Sequence, residues 1–334
     1  MTTPQSVDAK ARTFTEEDLY RLSSRAISEK NGTLAYQALD KLEHTSRSPE
    51  LRSLASHLKD PLHKLLPPKP ALPQVPDDIP SGLDVVNNKV LLDDVILPDS
   101  VKVLINEFIE EQNYFEQYAK AGIAPKRTML LCGPPGNGKT EVAKAIATVR
   151  QLPMYIANYP DIKTGSAGAT GKIVEGIFNY AATHECILFL DEIDAGAKKR
   201  GSTASDEADS LVSAMLVQLD KLPKNVICLA ATNLPDDLDP AIWRRFSNRI
   251  EIANPTADLQ LIYLRQRFEK FNISVATDLE IVITRLDAQN LSELNEFVTD
   301  LRRRMIREGT QKSIAELLEL EIVNWPYRRR VQTD

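Results

Sequence analysis

Residues 129–140 read Met-Leu-Leu-Cys-Gly-Pro-Pro-Gly-Asn-Gly-Lys-Thr, an apolar run followed by a glycine-rich loop. The loop has the form G-x-x-x-x-G-K-[ST], whose backbone N–H groups cradle phosphates. After it, Val142, Ala145, Ile146 and Val149 recur at helical spacing. The order strand, loop, helix is the context that phosphate binding requires, so this stretch predicts a nucleotide site on an α/β sheet.

Each part of the loop has an expected task. The glycines let the backbone fold around the phosphates, Lys139 reaches the β- and γ-phosphates, and Thr140 binds Mg²⁺. The predicted cofactors are therefore ATP and Mg²⁺. The predicted nucleotide-binding residues are Gly133, Pro134, Pro135, Gly136, Asn137, Gly138, Lys139, Thr140 and Glu141.

A second apolar run of strand length, residues 186–190, ends in Asp191-Glu192. Such a run is common by itself, but here it follows the glycine-rich loop by about fifty residues. A carboxylate at the end of a strand beside the loop strand is where a Mg²⁺-organising Asp belongs. We therefore predict Asp191 and Thr140 as metal ligands and Glu192 as the base that activates the attacking water.

Two further features have more than one explanation. A third apolar run, residues 226–231, ends in Thr232-Asn233, and Asn is also a favoured residue of a simple strand-ending turn. Arg244 and Arg245 close a short helical pattern, where cations suit the helix dipole without any further role. The residue pattern alone leaves both alternatives open.

Together these residues resemble the AAA family of ATPases (AAA+), from about Leu91 to Arg304, with a motif pattern most similar to its katanin, spastin and endosomal-sorting type. The resemblance implies an ATP hydrolase that works as a hexameric ring with a helical lid. It implies that Asn233 positions the lytic water and that Arg244 and Arg245 act as fingers on the neighbouring subunit's γ-phosphate. Leu291-Ser292-Glu293-Leu294 takes the place of the lid signature.

One segment departs from the pattern of the protein-threading relatives. Those relatives carry an aromatic residue, then an apolar residue and glycine, in a loop that grips the polypeptide in the central pore. The corresponding segment here reads Lys-Thr-Gly-Ser-Ala-Gly over residues 163–168, with Ser166 at the aromatic position. The aromatic grip is missing.

The sequence predicts four parts. Residues 1–66 should form a small helical module that acts as an adaptor, and residues 67–82 a proline-rich linker with six prolines between Pro67 and Pro80. Residues 83–254 should form the α/β ATPase domain, a P-loop NTPase parallel sheet with flanking helices. Residues 255–334 should form a helical lid and C-terminal tail, in which Ser292 caps one helix.

The composition constrains partners and location. The 334 residues are 43% apolar and 26% charged, with a net charge of -6, so a nucleic-acid role would need a local basic patch. The candidates are the arginine- and lysine-rich triplets 198–200, 302–304 and 328–330, which solvated helix ends and tails also explain.

The three cysteines lie in or beside apolar runs and indicate buried thiols in a reducing compartment. With no apolar stretch of about 18 residues and no signal-peptide core in residues 1–10, we expect a cytoplasmic protein without membrane contacts.

Three functions are compatible with these patterns. The preferred hypothesis is an ATP-driven homo-oligomeric ring that remodels proteins or protein complexes. The second is a nucleotide-gated regulator that recruits or switches a separate effector, for instance a protease or nuclease, without threading. The third, a nucleic-acid motor or loader, is disfavoured by the acidic composition.

Overall fold

The computed structural model describes residues 39, 48, 53–56, 79–86, 89–158, 162, 167–195, 206–275, 277–309 and 312–330. The chain divides into two compact units, residues 1–74 and residues 75–334. In the first unit, Leu39 and residues 53–56 are helical, and Leu39 and Ala55 are buried. Most of the predicted helical module, and the predicted linker up to residue 78, lie outside the described residues.

A six-stranded sheet is the centre of the second unit. Its strands are β1 (Leu83–Val86), β2 (Thr128–Cys132), β3 (Met154–Asn158), β4 (Cys186–Asp191), β5 (Val226–Thr232) and β6 (Asn248–Glu251). They are ordered β1-β3-β4-β5-β2-β6, and all neighbours are parallel except β1 and β3. Strand β1 lies at the edge, where an otherwise parallel sheet commonly accepts an antiparallel strand. The sequence pattern did not indicate this reversal.

Helices cover both faces of the sheet. In chain order, the helices of this part of the chain are α1 (Asp99–Glu111), α2 (Phe115–Lys120), α3 (Lys139–Arg150), α4 (Ala167–Ala182), α5 (Asp206–Asp220) and α6 (Pro240–Trp243). Short 3₁₀ segments lie at Leu92–Asp94, Gln112–Tyr114, Ile193–Ala195 and Pro235–Asp237. Alternate residues of the buried strands face opposite sides, so one set packs with α1 and α3 and the other with α4 and α5. The predicted α/β fold class is confirmed.

Four helices follow the sheet and enclose a core of their own. They are α7 (Ala257–Lys270), α8 (Leu279–Leu286), α9 (Leu291–Glu308) and α10 (Ile314–Arg330). Helix α9 begins one residue before the predicted cap Ser292, because the side chain of Asn290 accepts the N–H of Glu293 and takes the capping position. The prediction that Ser292 caps this helix is wrong.

The arginine triplet 302–304 is taken up by contacts within these helices. Arg302 stacks over the ring of Phe271, and Arg303 pairs with Asp300. Arg304 donates to Glu321 on α10 at 2.7 Å, and the Glu321 side chain is completely buried. Arg302 and Arg304 therefore link α9 to the residue after α7 and to α10, whereas Arg303 is exposed and pairs within α9.

The three cysteines are buried and unpaired, as predicted. Cys132, Cys186 and Cys228 lie on β2, β4 and β5 within the core layer that faces α4 and α5. Burial raises the pKa of the Cys132 thiol to about 11 and that of Cys186 to about 12.

None of the helices among the described residues has the length and apolar composition of a membrane span.

Candidate active site

The glycine-rich loop leaves the carboxyl end of β2 and leads into the N-terminus of α3. Gly133 begins it with a φ of 137°, and a side-chain carbon there would lie 2.1 Å from the carbonyl oxygen of Ile252. Any other residue would strain the backbone and collide with the strand β6 exit. The predicted context of strand, loop and helix is present, with α3 starting at Lys139.

The Lys139 side chain folds back against the glycine-rich loop that precedes it. Its Nζ donates to the carbonyl oxygens of Gly133 at 2.7 Å and Pro134 at 2.9 Å. Burial lowers the pKa of this ammonium group, and the nearby Asp191 carboxylate opposes the shift. A cation is thus placed at the loop where a phosphate anion would be cradled.

Thr140 and Asp191 meet although they lie on different elements. The Thr140 hydroxyl on α3 donates to Asp191 Oδ2 at the end of β4, at 3.2 Å. Burial raises the pKa of the Asp191 carboxyl, while the bond from Thr140 acts in the opposite direction. A hydroxyl and a carboxylate at one point suit a hard divalent cation, which is commonly held by one or two carboxylates plus phosphate oxygens.

Glu192 and Asn233 follow at the ends of neighbouring strands. Glu192 is exposed and adopts a φ of 52°, a conformation uncommon for a residue other than glycine. Its N–H donates to Asp191 Oδ1 at 3.0 Å. The N–H of Asn233 donates to Asp194 Oδ1 at 3.1 Å, and Asp194 is buried. The sequence analysis missed Asp194, whose only signal was a third carboxylate shortly after the β4 run.

These side chains share one cavity of about 990 Å³, which the helices after the sheet help to enclose. From the glycine-rich loop, the start of α3 and the ends of β4 and β5, it is lined by Pro135, Gly136, Asn137, Gly138, Lys139, Thr140, Glu141, Asp191, Glu192 and Asn233. From the following helices come Tyr263, Gln266, Arg267, Glu269, Lys270, Leu291, Ser292 and Asn295. The sequence analysis did not identify α7 as part of the wall, since nothing in its pattern distinguishes the residues that face the cavity.

Residues 129–254 match the family described as "ATPase family associated with various cellular activities (AAA)". This region is an AAA-family ATPase domain. The prediction that the chain is an ATP hydrolase is confirmed by this match and by the names of its relatives.

Relatives of the AAA domain include one of similar length and several longer proteins. The uncharacterized AAA family ATPase y4kL of Sinorhizobium fredii is 29% identical over 247 residues, 73% of each chain. The ATP-dependent zinc metalloprotease FtsH of Thermus thermophilus is 31% identical over 239 residues, covering 69% of this chain and 38% of that protein. FtsH of Aquifex aeolicus is 33% identical over 246 residues, with the same two shares. The chain thus spans well under half of the FtsH proteins it matches.

Arg244 and Arg245 lie at the end of α6 and are not among the residues that line the described cavity. Arg244 is exposed. Arg245 donates through Nε and Nη2 to the two carboxylate oxygens of Asp220, both at 3.0 Å, and through Nη1 to the carbonyl of Ala241. The structure therefore does not bring the two arginines to the cavity of their own AAA domain.

Two further observations concern the segment around Ser166 and the side chains that could bind a metal ion. Residues 163–166, including Ser166 at the position where threading relatives are expected to carry an aromatic residue, lie outside the described residues, and helix α4 begins at Ala167. Among the described residues, no group of three or more His, Cys, Asp or Glu side chains could hold a metal ion by itself.

Proposed function

We propose that this chain assembles into a hexameric ring and hydrolyses ATP to ADP and phosphate in order to remodel or regulate a protein partner. One observation carries the proposal: Lys139, the Thr140–Asp191 pair, Glu192 and Asn233 converge on one cavity. This convergence supports the proposal because phosphoryl transfer to water needs groups that bind phosphate, hold a metal ion and position the attacking water close together.

The chemistry divides among these groups. The backbone of Gly133–Gly138 and the Lys139 ammonium bind the phosphates, and the α3 N-terminus adds its positive end. Thr140 and Asp191 would hold Mg²⁺, which neutralises charge on the phosphate oxygens when it is bound. Glu192 accepts the proton of the attacking water. The Asn233 amide orients that water from a backbone that Asp194 holds in place.

Assembly into a ring would let an arginine of one subunit complete the active site of the next. Arg244 is exposed outside the cavity of its own AAA domain, which suits contact with the γ-phosphate of a neighbouring subunit. Its partner Arg245 is fixed by Asp220, so we assign Arg244 the more direct contact. The adjacent arginine pair also supports placing the chain near the katanin, spastin and endosomal-sorting type.

A protein is the proposed object of this activity. The relatives named ATP-dependent zinc metalloproteases are ATP-driven enzymes that act on proteins, which favours a protein over a nucleic acid here. We propose that residues 1–66 recruit that protein, that residues 67–82 give the module reach, and that the ring works in the cytoplasm.

The small-residue segment around Ser166 favours a second candidate function. Bulky side chains provide the contact area that a threading motor needs to hold a chain against a folded domain, whose stability is about 5–15 kcal/mol. Serine, alanine and glycine provide little. The ring could instead clasp a partner's flexible segment and switch an effector with nucleotide state.

Stimulation of ATP hydrolysis distinguishes these functions. A permanently unfolded protein should stimulate ATP hydrolysis by a remodeller, whereas double-stranded DNA should not. The Glu192→Gln variant gives the background rate.

The ATP-dependent loss of fluorescence from a tagged, stably folded reporter separates threading from switching, when the wild-type ring is compared with Ser166→Tyr. Rapid unfolding by the wild-type ring would reject the switching candidate, and stimulation by DNA alone would reject both.

A further inference from the structure

The phosphate-binding loop supplies hydrogen-bond acceptors to the first turn of α9, beside the Asn290 cap. The first N–H groups of a helix have no partners within it. Here the N–H of Leu291 donates to Asn137 Oδ1 at 3.4 Å, and the N–H of Ser292 donates to the carbonyl of Gly136 at 3.0 Å. Leu291 lies 154 residues after Asn137 in the chain. Two of the helix's first N–H groups therefore depend on the loop that is proposed to bind phosphate.

The Asn137 side chain has both of its ends occupied. A backbone N–H can only donate, so the amide oxygen of Asn137 must face Leu291. Its Nδ2 then faces Asn254 and donates to Asn254 Oδ1 at 2.8 Å. Asn254 lies in residues 252–256, the segment that connects β6 to α7. With 2% of its surface exposed, Asn137 joins the loop, this connection and α9 through one buried amide.

Gly136 lets the helix approach the loop backbone directly. Its φ is 79°, and a side-chain carbon there would lie 2.9 Å from Asn290 Oδ1 and 2.9 Å from the β-carbon of Ser292. No space remains between the loop and the start of α9. A shift of either one must therefore move the other or break the capping bonds.

We propose that Asn137 and Asn254 are positioning residues that hold α9 against the phosphate-binding loop, so that nucleotide binding at the loop is coupled to the position of the helical lid. The inference rests on the proposed function, since it assumes that ATP binds at this loop. It assigns the Asn137 side chain to contacts within the protein. The backbone of Asn137 remains a predicted phosphate contact.

Amide hydrogen exchange of the full chain without nucleotide tests the contact itself. Asn137→Ala should accelerate exchange at Leu291 by about threefold to tenfold, the range that corresponds to one net hydrogen bond. Asn137→Thr, whose hydroxyl can still accept, should restore part of the protection. Gln289→Ala removes an exposed side chain beside the same helix start and serves as the matched control. Unchanged exchange in Asn137→Ala would overturn the proposal.

ATP kinetics test the coupling. The KM for ATP should rise by about threefold to tenfold in Asn137→Ala and in Asn254→Ala, with a smaller change in kcat. The double variant should be little worse than either single variant, because the two side chains act as one unit. Faster exchange with an unchanged KM, or fully additive effects, would reject the coupling. A wild-type chain without ATPase activity would reject the proposed function and leave the exchange result standing.

Discussion

At the scale of single residues, the Asp191 carboxyl lies in a partly buried environment that disfavours its ionised form. Burial raises the pKa of its carboxyl above the unfolded value of about 3.9. Its contribution to stability is therefore fully present below that value and is lost as the pH rises through the folded pKa. At neutral pH the ionised carboxylate lowers the free energy of unfolding relative to a neutral amide of the same shape.

We therefore predict that Asp191→Asn loses ATP hydrolysis but unfolds at a higher temperature than wild type at pH 7. The difference in Tm should shrink as the pH falls, because Asp191 then becomes neutral as well. Thermal unfolding at several pH values measures this, with Asp237→Asn as the control for an exposed carboxylate. A lower Tm for Asp191→Asn at pH 7 would contradict the electrostatic account.

Lys139 and Glu192 should fail in different ways. Lys139→Ala removes the cation beneath the loop and should abolish productive ATP binding. Glu192→Gln keeps the shape of an exposed side chain and should bind ATP while its turnover stops. Equilibrium binding of a fluorescent ATP analogue, measured beside phosphate release, separates the two defects. Turnover at the wild-type rate by Glu192→Gln would show that another group is the base.

At the scale of elements, helices α9 and α10 depend on a buried ion pair. Glu321 is completely buried and accepts from Arg304, whose side chain is 13% exposed. Removing one partner of such a pair strands the other charge, which costs about 3–5 kcal/mol. We predict a loss of this size in the free energy of unfolding for Glu321→Ala, measured by urea denaturation.

The neighbouring pair provides the control for this prediction. Arg303 is 72% exposed and bonds to Asp300 one helical turn earlier, so Arg303→Ala should cost less than about 1 kcal/mol. Replacing both Arg304 and Glu321 by apolar residues of similar size should recover much of the loss. Equal destabilisation by Arg303→Ala and Glu321→Ala would show that burial does not decide the effect.

The elements also show what the sequence can predict. The loop with its flanking strand and helix could be predicted, because a continuous apolar run marks the strand. The position of Asp191, Glu192 and Asn233 at one edge of the sheet could be predicted as well, because parallel strands end at the same edge. Contacts between distant segments could not. The cap itself has a local signal, because Asn290 is followed three residues later by Glu293, and the prediction of Ser292 overlooked it. The approach of Asn290 to Gly136 joins distant segments and has no local signal.

The local sequence also could not assign separate roles to Arg244 and Arg245. Adjacent cations at a helix end indicate either a dipole contact or a finger, and both interpretations remain compatible with the local pattern. The bonds between Arg245 and Asp220 join segments 25 residues apart and separate its role from that of Arg244. Charge patterns along the chain could not predict which arginine would be held.

At the scale of the whole molecule, the account requires that one subunit complete the site of the next. The described cavity holds the proposed phosphate, metal and water ligands, while Arg244 and Arg245 lie outside it. An arginine finger contributes on the order of 10³-fold or more to turnover. The chain alone should therefore be a poor ATPase, and activity should depend on assembly.

Complementation between two inactive variants is the most direct test of this claim. One variant carries Arg244→Ala and Arg245→Ala, and the other carries Glu192→Gln. Their mixture should hydrolyse ATP faster than the sum of the two separate samples, because some sites then pair an intact Glu192 with a neighbour's intact arginines. A mixture that demonstrably co-assembles but shows no gain, or full wild-type activity in a dilute monomeric sample, would contradict the account.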